Sequence, residues 1–218
     1  LPAFVVLVAV PSNRDQEQAI SSRLWGSGYL PGEHAGVSFR SAGDPILYIN
    51  NPAGVPAAIR KSTINNINAL NEINFEAVGD PETQTRIRQY EMAFKMQASV
   101  PELTDLSTES DHTFKLYGEA AKKLGTFANT VLMARRLAER GVRFIQIYHN
   151  NWDHHGNVAG RMPSQCKDVD QPCAALIEDL KQRGMFDDTL IIWGGEFGRT
   201  IYSQGNLSLT NYGRDHHP

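Results

Sequence analysis

The order of apolar and polar residues divides the chain into strands, helices and loops. The uninterrupted run AFVVLVAV, residues 3–10, predicts a buried strand and is too short to span a bilayer. Residues 11–56 are rich in glycine and proline and predict loops, with one short strand candidate, ILYI, at residues 46–49. Residues 59–75 carry an apolar residue at every third position, which predicts a helix with one buried face. These positions are Ile64, Ile67, Leu70 and Ile73.

The sequence predicts the start of a helix most clearly at Asp80, Pro81 and Glu82. An aspartate in this place accepts hydrogen bonds from the first free amides of a helix, and Pro81 suits the first helical position. Glu82 adds a negative charge near the positive end of the helix dipole. The three residues therefore agree on a helix that begins at residue 81.

The second half of the chain alternates between helix and strand. Predicted helices over residues 125–140 and about 163–183 each end at a glycine, and an apolar run follows each of them. These runs are VRFIQIY, residues 142–148, and TLIIWGG, residues 189–195. Two such strands joined by a helix predict a βαβ unit in a parallel sheet that is covered on both faces. The predicted fold class is α/β, with one domain over residues 1–218.

Polar residues crowd directly after the first of these strands, in YHNNWDHHGN, residues 148–157. In an extended segment Asp153 and His155 point to the same side, as two ligands of one metal ion must. The alternative is an Asx-rich turn whose side chains cap the following helix. Local composition favours neither the metal site nor the capped turn.

Two further polar clusters follow. In GGEFGRT, Glu196 offers a carboxylate for a cation and Arg199 a guanidinium for an oxyanion, as metal-assisted phosphoryl or sulfuryl transfer requires. The alternative for this segment is an exposed ion pair at a strand end. The cluster GRDHHP, with Asp215, His216 and His217, is by itself typical of a polar tail. Three such clusters in one chain favour a shared site, because parallel strands present their carboxyl ends at one edge of a sheet.

Charge and length limit the functions that the chain can have. The 21 Lys and Arg against 24 Asp and Glu give a formal net charge of -3, so no basic surface for nucleic acid is predicted. The 218 residues begin with Leu1 rather than Met and stop within GRDHHP, which suggests an internal piece of a longer polypeptide. The sequence contains no nucleophile elbow, Walker loop or dinucleotide-binding glycine motif.

Several segments together resemble a bacterial family. They are LMARRLAERGVRFIQIYHNNWDHHGN, CAALIEDLKQRGMFDDTLIIWGGEFGRT and GRDHHP, supported upstream by LPAFVVL, WGSGYLPGEHAGVSFR and RIRQYEMAFKMQ. On these segments the chain is identified as a member of the family called domain of unknown function 1501. That family is placed in the alkaline phosphatase and sulfatase superfamily, which implies a mostly parallel sheet between helices, here incomplete. The resemblance also implies a metal-dependent hydrolase that is exported or periplasmic.

The resemblance assigns roles to individual residues. It makes Asp153 and His155 metal ligands after one strand and Glu196 the acidic ligand after the next, while His216 resembles the late histidine ligand, with Asp215 beside it. Superfamily sites commonly pair Asp with His at the second position, where this chain has Glu followed by Phe. The segment that carries the superfamily nucleophile matches nothing near the start of this chain. The implied cofactor is one or two divalent ions of zinc, manganese, magnesium or calcium.

The resulting hypothesis is a metal-dependent hydrolase of phosphate or sulfate esters, on small molecules or polysaccharides, in which Arg199 binds a non-bridging oxygen. Because the nucleophile segment is missing, the chain alone is expected to bind metal weakly and to turn over little. One alternative is a catalytically inactive binding or structural protein on the same fold, such as one that recognises sulfated polysaccharide. It predicts anion binding near Arg199 without metal. Another is a metal-free domain whose histidines only cap helices, which would be supported if the three clusters lay far apart.

Overall fold

The computed structural model of the chain has a mixed α/β fold, which confirms the predicted fold class. The structure describes residues 1–13, 19–40, 43, 45–46, 50–195, 197–208 and 210–217. Its strands are β1 Phe4–Ala9, β2 Val37–Phe39, β3 Phe144–His149, β4 Gly198–Arg199 and β5 His216–His217. Its α-helices are α1 Ala57–Val78, α2 Pro81–Thr104, α3 Asp111–Tyr117, α4 Phe127–Glu139 and α5 Val158–Gln182. Short 3-10 helices occupy Ser22–Trp25, Gly32–His34, Leu106–Thr108 and Glu119–Lys122.

The chain separates into two compact units. Unit 1 comprises Leu1–Val8, Ala19–Thr108 and Arg136–Tyr148. Unit 2 comprises Ala9–Gln18, Glu109–Arg135 and His149–Pro218. The prediction of one domain over residues 1–218 stays a prediction. Among the described helices, none combines the length and the hydropathy that a membrane span needs.

Unit 1 contains a three-stranded parallel sheet in the order β2-β1-β3. The central strand, β1, confirms the strand predicted from the AFVVLVAV run, and its side chains over Val5–Ala9 are buried. Continuous burial is expected of a parallel strand that is covered on both faces. β3 confirms the strand predicted from VRFIQIY, but its side chains are only partly buried, and Phe144 is 70% exposed. The prediction of two covered faces, made for the strands of the βαβ unit, is therefore wrong for β3.

The helix predicted over residues 59–75 is confirmed as α1, but the prediction of its buried face is wrong. Leu70 and Ile73 are 67% and 64% exposed, and no residue of α1, described over its whole length, is buried. Residues spaced by three step back about 60° around a helix each time, so a row that faces inward at Ile64 faces outward at Ile73. The partly buried face follows spacings of three and four. Its residues are Arg60, Ile64, Asn68, Asn71 and Phe75.

Both ends of α2 are capped. At its start, the Asp80 carboxylate accepts a hydrogen bond from the amide two residues later at 3.0 Å, which confirms the predicted N-cap. At its end, the buried Arg136 donates to the backbone oxygens of Leu103 and Glu102 at 2.8 and 3.0 Å. These bonds satisfy carbonyl groups that a helix end leaves without an intrahelical partner, so α2 is fixed at both ends.

Unit 2 contains α5 and a buried group of charged and polar side chains that joins it to α3 and α4. The helix predicted near residues 163–183 is confirmed as α5, although it begins earlier, at Val158. Arg135 of α4 lies 2.6 Å from the Glu109 carboxylate and 3.0 Å from that of Asp179 in α5. Tyr117 of α3 donates to Asp179 at 3.0 Å. We call these four residues the buried charge network: Glu109, Tyr117, Arg135 and Asp179.

The strand predicted from TLIIWGG is not formed. Residues 189–195 have no strand partner within the described part of the chain, and Leu190, Ile192 and Trp193 are 84%, 83% and 68% exposed. Apolar sequence is compatible with a strand, but a strand forms only where a neighbour accepts its backbone hydrogen bonds. The predicted βαβ unit is therefore wrong in its second strand. The other candidate strand, residues 46–49, lies outside the described residues at three of its four positions.

Candidate metal centre

The first segment of the candidate site is the loop between β3 and α5, residues 150–157. Asn151 and Asn157 have φ angles of 74° and 53°, in the left-handed region that asparagine tolerates better than most residues. Asn157 is the N-cap residue of α5, yet its side chain makes no capping hydrogen bond. The loop therefore bends sharply at both asparagines, and Asn157 does not cap the helix as the Asx-turn alternative requires.

Buried polar contacts fix this loop to α5. Gln165, which is fully buried, donates from Nε2 to the Asn150 backbone oxygen at 2.8 Å. Trp152 donates from Nε1 to His149 Nδ1 at 2.9 Å, and His149 Nε2 lies 3.5 Å from the Asp168 carboxylate. The Trp152 bond needs an unprotonated Nδ1, and burial, despite Asp168, lowers the pKa of His149 and favours that neutral form. These contacts hold the loop in one conformation.

The second segment is a hairpin that contains β4, β5 and the paired residues Gln204 and Gly213. The antiparallel strands β4 and β5 place Arg199 directly opposite His216. Farther along the hairpin, Gln204 and Gly213 exchange two backbone hydrogen bonds of 3.0 Å. The pairing of the hairpin therefore brings together two residues that the sequence separates by sixteen intervening positions.

Close backbone packing joins the hairpin to the loop. The Arg214 amide donates to the His154 backbone oxygen at 3.0 Å. Beside it, Gly213 lies so close to the loop that an added Cβ would overlap the backbone carbonyl group of His155. A glycine is required here for close approach rather than for an unusual φ angle. Sequence reasoning did not identify Gly213, and the only signal was its place just before the RDHH residues.

Three side chains predicted as metal ligands meet where these segments join. Asp153, His155 and His216 each offer one ligand atom, and all of these atoms lie within 4.8 Å of one another. The Nε2 atoms of His155 and His216 lie 2.8 and 2.9 Å from Asp153 Oδ1. All three residues are exposed. We call them the ligand cluster.

Arg199, predicted to bind an oxyanion, contacts the same carboxylate. Its Nη1 donates to Asp153 Oδ1 at 2.6 Å, so three nitrogen atoms lie within 2.9 Å of this one oxygen. The Arg199 hydrogen bond, followed by the one from His216, lowers the pKa of Asp153 to about 2. Asp153 is therefore an anion at any ordinary pH, and the Arg199 guanidinium beside it carries the opposite charge.

Two neighbours orient the histidines. Gln204 Oε1 lies 2.7 Å from His155 Nδ1, and an acceptor there favours a proton on Nδ1 and leaves Nε2 for a metal. Asp215 Oδ1 lies 3.8 Å from the same Nδ1 and accepts from the His216 amide at 2.8 Å. Asp215, predicted as a ligand, is thus adjacent to the ligand cluster without being one of its three members. Gln204 was not identified from the sequence.

Two further residues, His154 and Glu196, belong to the predicted polar clusters. His154, between the two ligands of the loop, is only 3% exposed, and burial lowers its pKa. Its burial contrasts with the exposure of Asp153 and His155 on either side of it. Glu196 lies outside the described residues, so its role as a ligand stays a prediction.

The ligand cluster suits a divalent cation after a small expansion. Around tetrahedral zinc, ligand distances of about 2.0–2.1 Å place neighbouring ligand atoms about 3.3 Å apart. The observed separations of 2.8 and 2.9 Å from Asp153 Oδ1 are those of hydrogen bonds, so the side chains must separate by about 0.5 Å. Two imidazoles and one carboxylate are a set of three ligands that leaves a coordination position open.

The fold and this site define an α/β protein with a candidate metal centre where a loop and a hairpin meet. The chain belongs to the family described as protein of unknown function (DUF1501), whose model matches residues 1–218. Comparisons with curated proteins and with solved structures gave no match. The family inferred from the sequence segments is therefore confirmed. Membership of the alkaline phosphatase and sulfatase superfamily stays a prediction.

Proposed function

We propose that this chain carries the metal centre of a hydrolase that cleaves phosphate or sulfate esters, in an exported or periplasmic protein of the alkaline phosphatase and sulfatase superfamily. One observation carries the proposal: Asp153, His155 and His216 place their ligand atoms within 4.8 Å of one another. His216 is 63 positions from Asp153 along the chain, so local sequence does not account for their meeting. A guanidinium beside the same carboxylate adds a group for the oxyanion of an ester.

In this proposal each residue has a separate task. Asp153, His155 and His216 hold a divalent ion, which supplies Lewis-acid polarisation of the ester and activation of a nucleophile. Arg199 binds a non-bridging oxygen of the phosphate or sulfate group through its planar pair of donors. Gln204 keeps His155 in the tautomer that presents Nε2 to the ion.

The donor set narrows the choice of metal. Two imidazoles favour zinc over magnesium or calcium, which prefer oxygen ligands, and the mixed set of imidazoles and a carboxylate leaves manganese open. The ligand cluster provides for one ion. A second ion would need further carboxylates, for which Asp215 beside the cluster and Glu196 are the candidates.

The first test is calorimetric titration of the chain with Zn²⁺ or Mn²⁺. We expect one site whose affinity falls by more than about 100-fold in Asp153→Asn, because loss of a direct ligand exceeds the 10–100-fold cost of losing an outer-shell partner. Asp187→Asn, the same change at an exposed aspartate after α5, is the matched control and should leave the affinity unchanged. Equal affinity in wild type and Asp153→Asn would contradict the proposal.

A second test separates the hydrolase from a binding protein on the same fold. Sulfate binding and hydrolysis of p-nitrophenyl phosphate and p-nitrophenyl sulfate are measured with the metal and after its removal by a chelator. The hydrolase predicts that sulfate binding depends on metal and declines in Asp153→Asn, and that the hydrolysis, expected to be small in this chain, follows the same pattern. Sulfate binding that survives chelation and is lost only in Arg199→Gln would favour the binding protein instead.

A further inference from the structure

One oxygen of the ligand cluster is already occupied by a positively charged group. Arg199 Nη1 lies 2.6 Å from Asp153 Oδ1, closer than the Nε2 atom of either His155 or His216. A cation that binds the three ligands needs a lone pair of the same carboxylate. The guanidinium and the cation therefore compete for Asp153, and each repels the other at this distance.

We infer that Arg199 couples the binding of a tetrahedral oxyanion to the binding of the metal. When Arg199 pairs with Asp153, it opposes the entry of a cation. When a sulfate or phosphate group engages the guanidinium, Asp153 is released as a ligand and the oxyanion neutralises the charge of Arg199. This inference rests on the proposed function, since it assigns a regulatory role to a residue of that same site.

The surroundings of Arg199 allow this exchange of partners. Its side chain is 23% exposed and that of Asp153 is 49% exposed, so an anion from solvent can reach the pair. An exposed ion pair contributes little stability, so Arg199 and Asp153 can separate at small cost. A tetrahedral oxyanion offers the guanidinium two parallel hydrogen bonds, and it can therefore compete with Asp153 Oδ1 for Nη1.

The coupling has two measurable signs. A saturating oxyanion should tighten metal binding, and the metal should tighten oxyanion binding by the same factor, because linkage is reciprocal. Couplings between sites are typically 5–150-fold, and we expect about tenfold here. An oxyanion that contacts the metal directly would give the same sign, so coupling in the wild type does not by itself identify Arg199.

Removing Arg199 separates the two explanations. In chloride buffer without oxyanions, we expect Arg199→Gln to bind Mn²⁺ about tenfold more tightly than the wild type, because the internal competitor is gone. Loss of an arginine that only supports the site would weaken Mn²⁺ binding instead. In the same variant, the enhancement by sulfate should shrink by about tenfold and leave only the part due to direct contact.

The experiment is calorimetric titration with Mn²⁺ in three buffers, containing chloride, sulfate or methyl sulfate. The two oxyanions distinguish free sulfate from the ester group of a substrate. Arg161→Gln removes the same charge from an exposed position in the first turns of α5 and should change Mn²⁺ affinity about twofold or less. Arg199→Lys keeps the charge without the planar donors and should fall between wild type and Arg199→Gln.

The outcomes distinguish the inference from the function on which it rests. Tighter Mn²⁺ binding in Arg199→Gln, with a reduced sulfate effect, supports the coupling. Unchanged or weaker binding in chloride overturns the coupling but leaves the metal centre in place, provided that Asp153→Asn still abolishes Mn²⁺ binding. Mn²⁺ binding that is insensitive to Asp153→Asn overturns the metal centre and the coupling together.

Discussion

Unit 2 contains two groups in which an arginine pairs with acidic side chains, and they differ mainly in burial. In the buried charge network, the Arg135 side chain is 2% exposed and its partners Glu109 and Asp179 are each 7% exposed. At the ligand cluster, Arg199 and Asp153 are 23% and 49% exposed. The N–O distance is 2.6 Å in the shortest pair of each group, so contact distance does not distinguish them.

Burial determines what each group can do. Charges in the buried network cannot exchange partners without exposing an unpaired ion to a low-dielectric interior, which is strongly unfavourable. Burial, and next the neighbouring Asp179, also raises the pKa of Tyr117 far above its usual range, so this hydroxyl stays a hydrogen-bond donor. At the ligand cluster, water can replace a lost partner, so its ion pairs can open for a ligand. The buried group serves the fold, and the exposed group is available for binding.

The same substitution in both groups should produce very different losses of stability. We expect Arg135→Gln to lower the free energy of unfolding by about 3–5 kcal/mol, because two buried carboxylates lose an ion-pair partner, although Arg183 stays paired with Asp179. Arg199→Gln should lower it by less than about 1 kcal/mol. Urea unfolding of both variants tests this difference. Similar losses in the two variants would show that burial does not separate the two groups.

A change in backbone packing should disrupt the ligand cluster more than most side-chain changes. In Gly213→Ala, the new Cβ overlaps the His155 carbonyl group, so loop and hairpin must move apart. We expect Mn²⁺ affinity to fall at least about 50-fold, equivalent to about 2.3 kcal/mol. The control is Gly194→Ala, since an added Cβ there meets nothing within 4 Å. Calorimetry on both variants measures the effect, and equal affinities would contradict the assembly described here.

The sequence predicted the helices and the candidate ligands better than it predicted how they come together. The alternation of an extended segment correctly predicted that Asp153 and His155 lie together. The assumption that two strand ends bring the clusters together was wrong, because TLIIWGG pairs with no described strand. The clusters are instead brought together by the β4–β5 hairpin and by its close approach to the loop at Gly213.

These features escaped prediction because they depend on contacts between residues that are distant in the sequence. A two-residue strand has no hydrophobic period to detect, and β4 and β5 are each two residues long. The exposure of Leu70 and Ile73 also depends on which face of α1 packs against α2. Local patterns identify a helix or a polar loop, but the partner across the fold decides which side is buried.

The orientation of His155 should have a smaller effect than the backbone packing at Gly213. Gln204→Ala removes the acceptor at His155 Nδ1, so the ring loses the partner that leaves Nε2 unprotonated for metal. We expect Mn²⁺ affinity to fall about tenfold, the lower end of the range for outer-shell partners. Gln182→Ala, at an exposed glutamine at the end of α5, is the matched control. An unchanged affinity in Gln204→Ala would assign the orientation of His155 to Asp215.

The smallest expected effect is the dependence of stability on the ionisation of Asp153. Its pKa in the folded chain, about 2, lies below the value of about 3.9 for an unfolded aspartate. The contribution of its ion pairs is therefore fully present above about pH 4 and is lost as the pH falls through about 2. Because the side chain is half exposed, this contribution should not exceed about 1 kcal/mol.

Carbon-13 NMR of the Asp153 carboxyl group measures this ionisation directly. The midpoint should lie near pH 2 in the wild type and rise in Arg199→Gln, because the Arg199 hydrogen bond is the largest cause of the lowered pKa. A midpoint near 3.9 in both proteins would mean that Arg199 does not pair with Asp153 in solution. The exposed group would then lack the internal competitor that distinguishes it from an ordinary metal site, while the buried charge network would be unaffected.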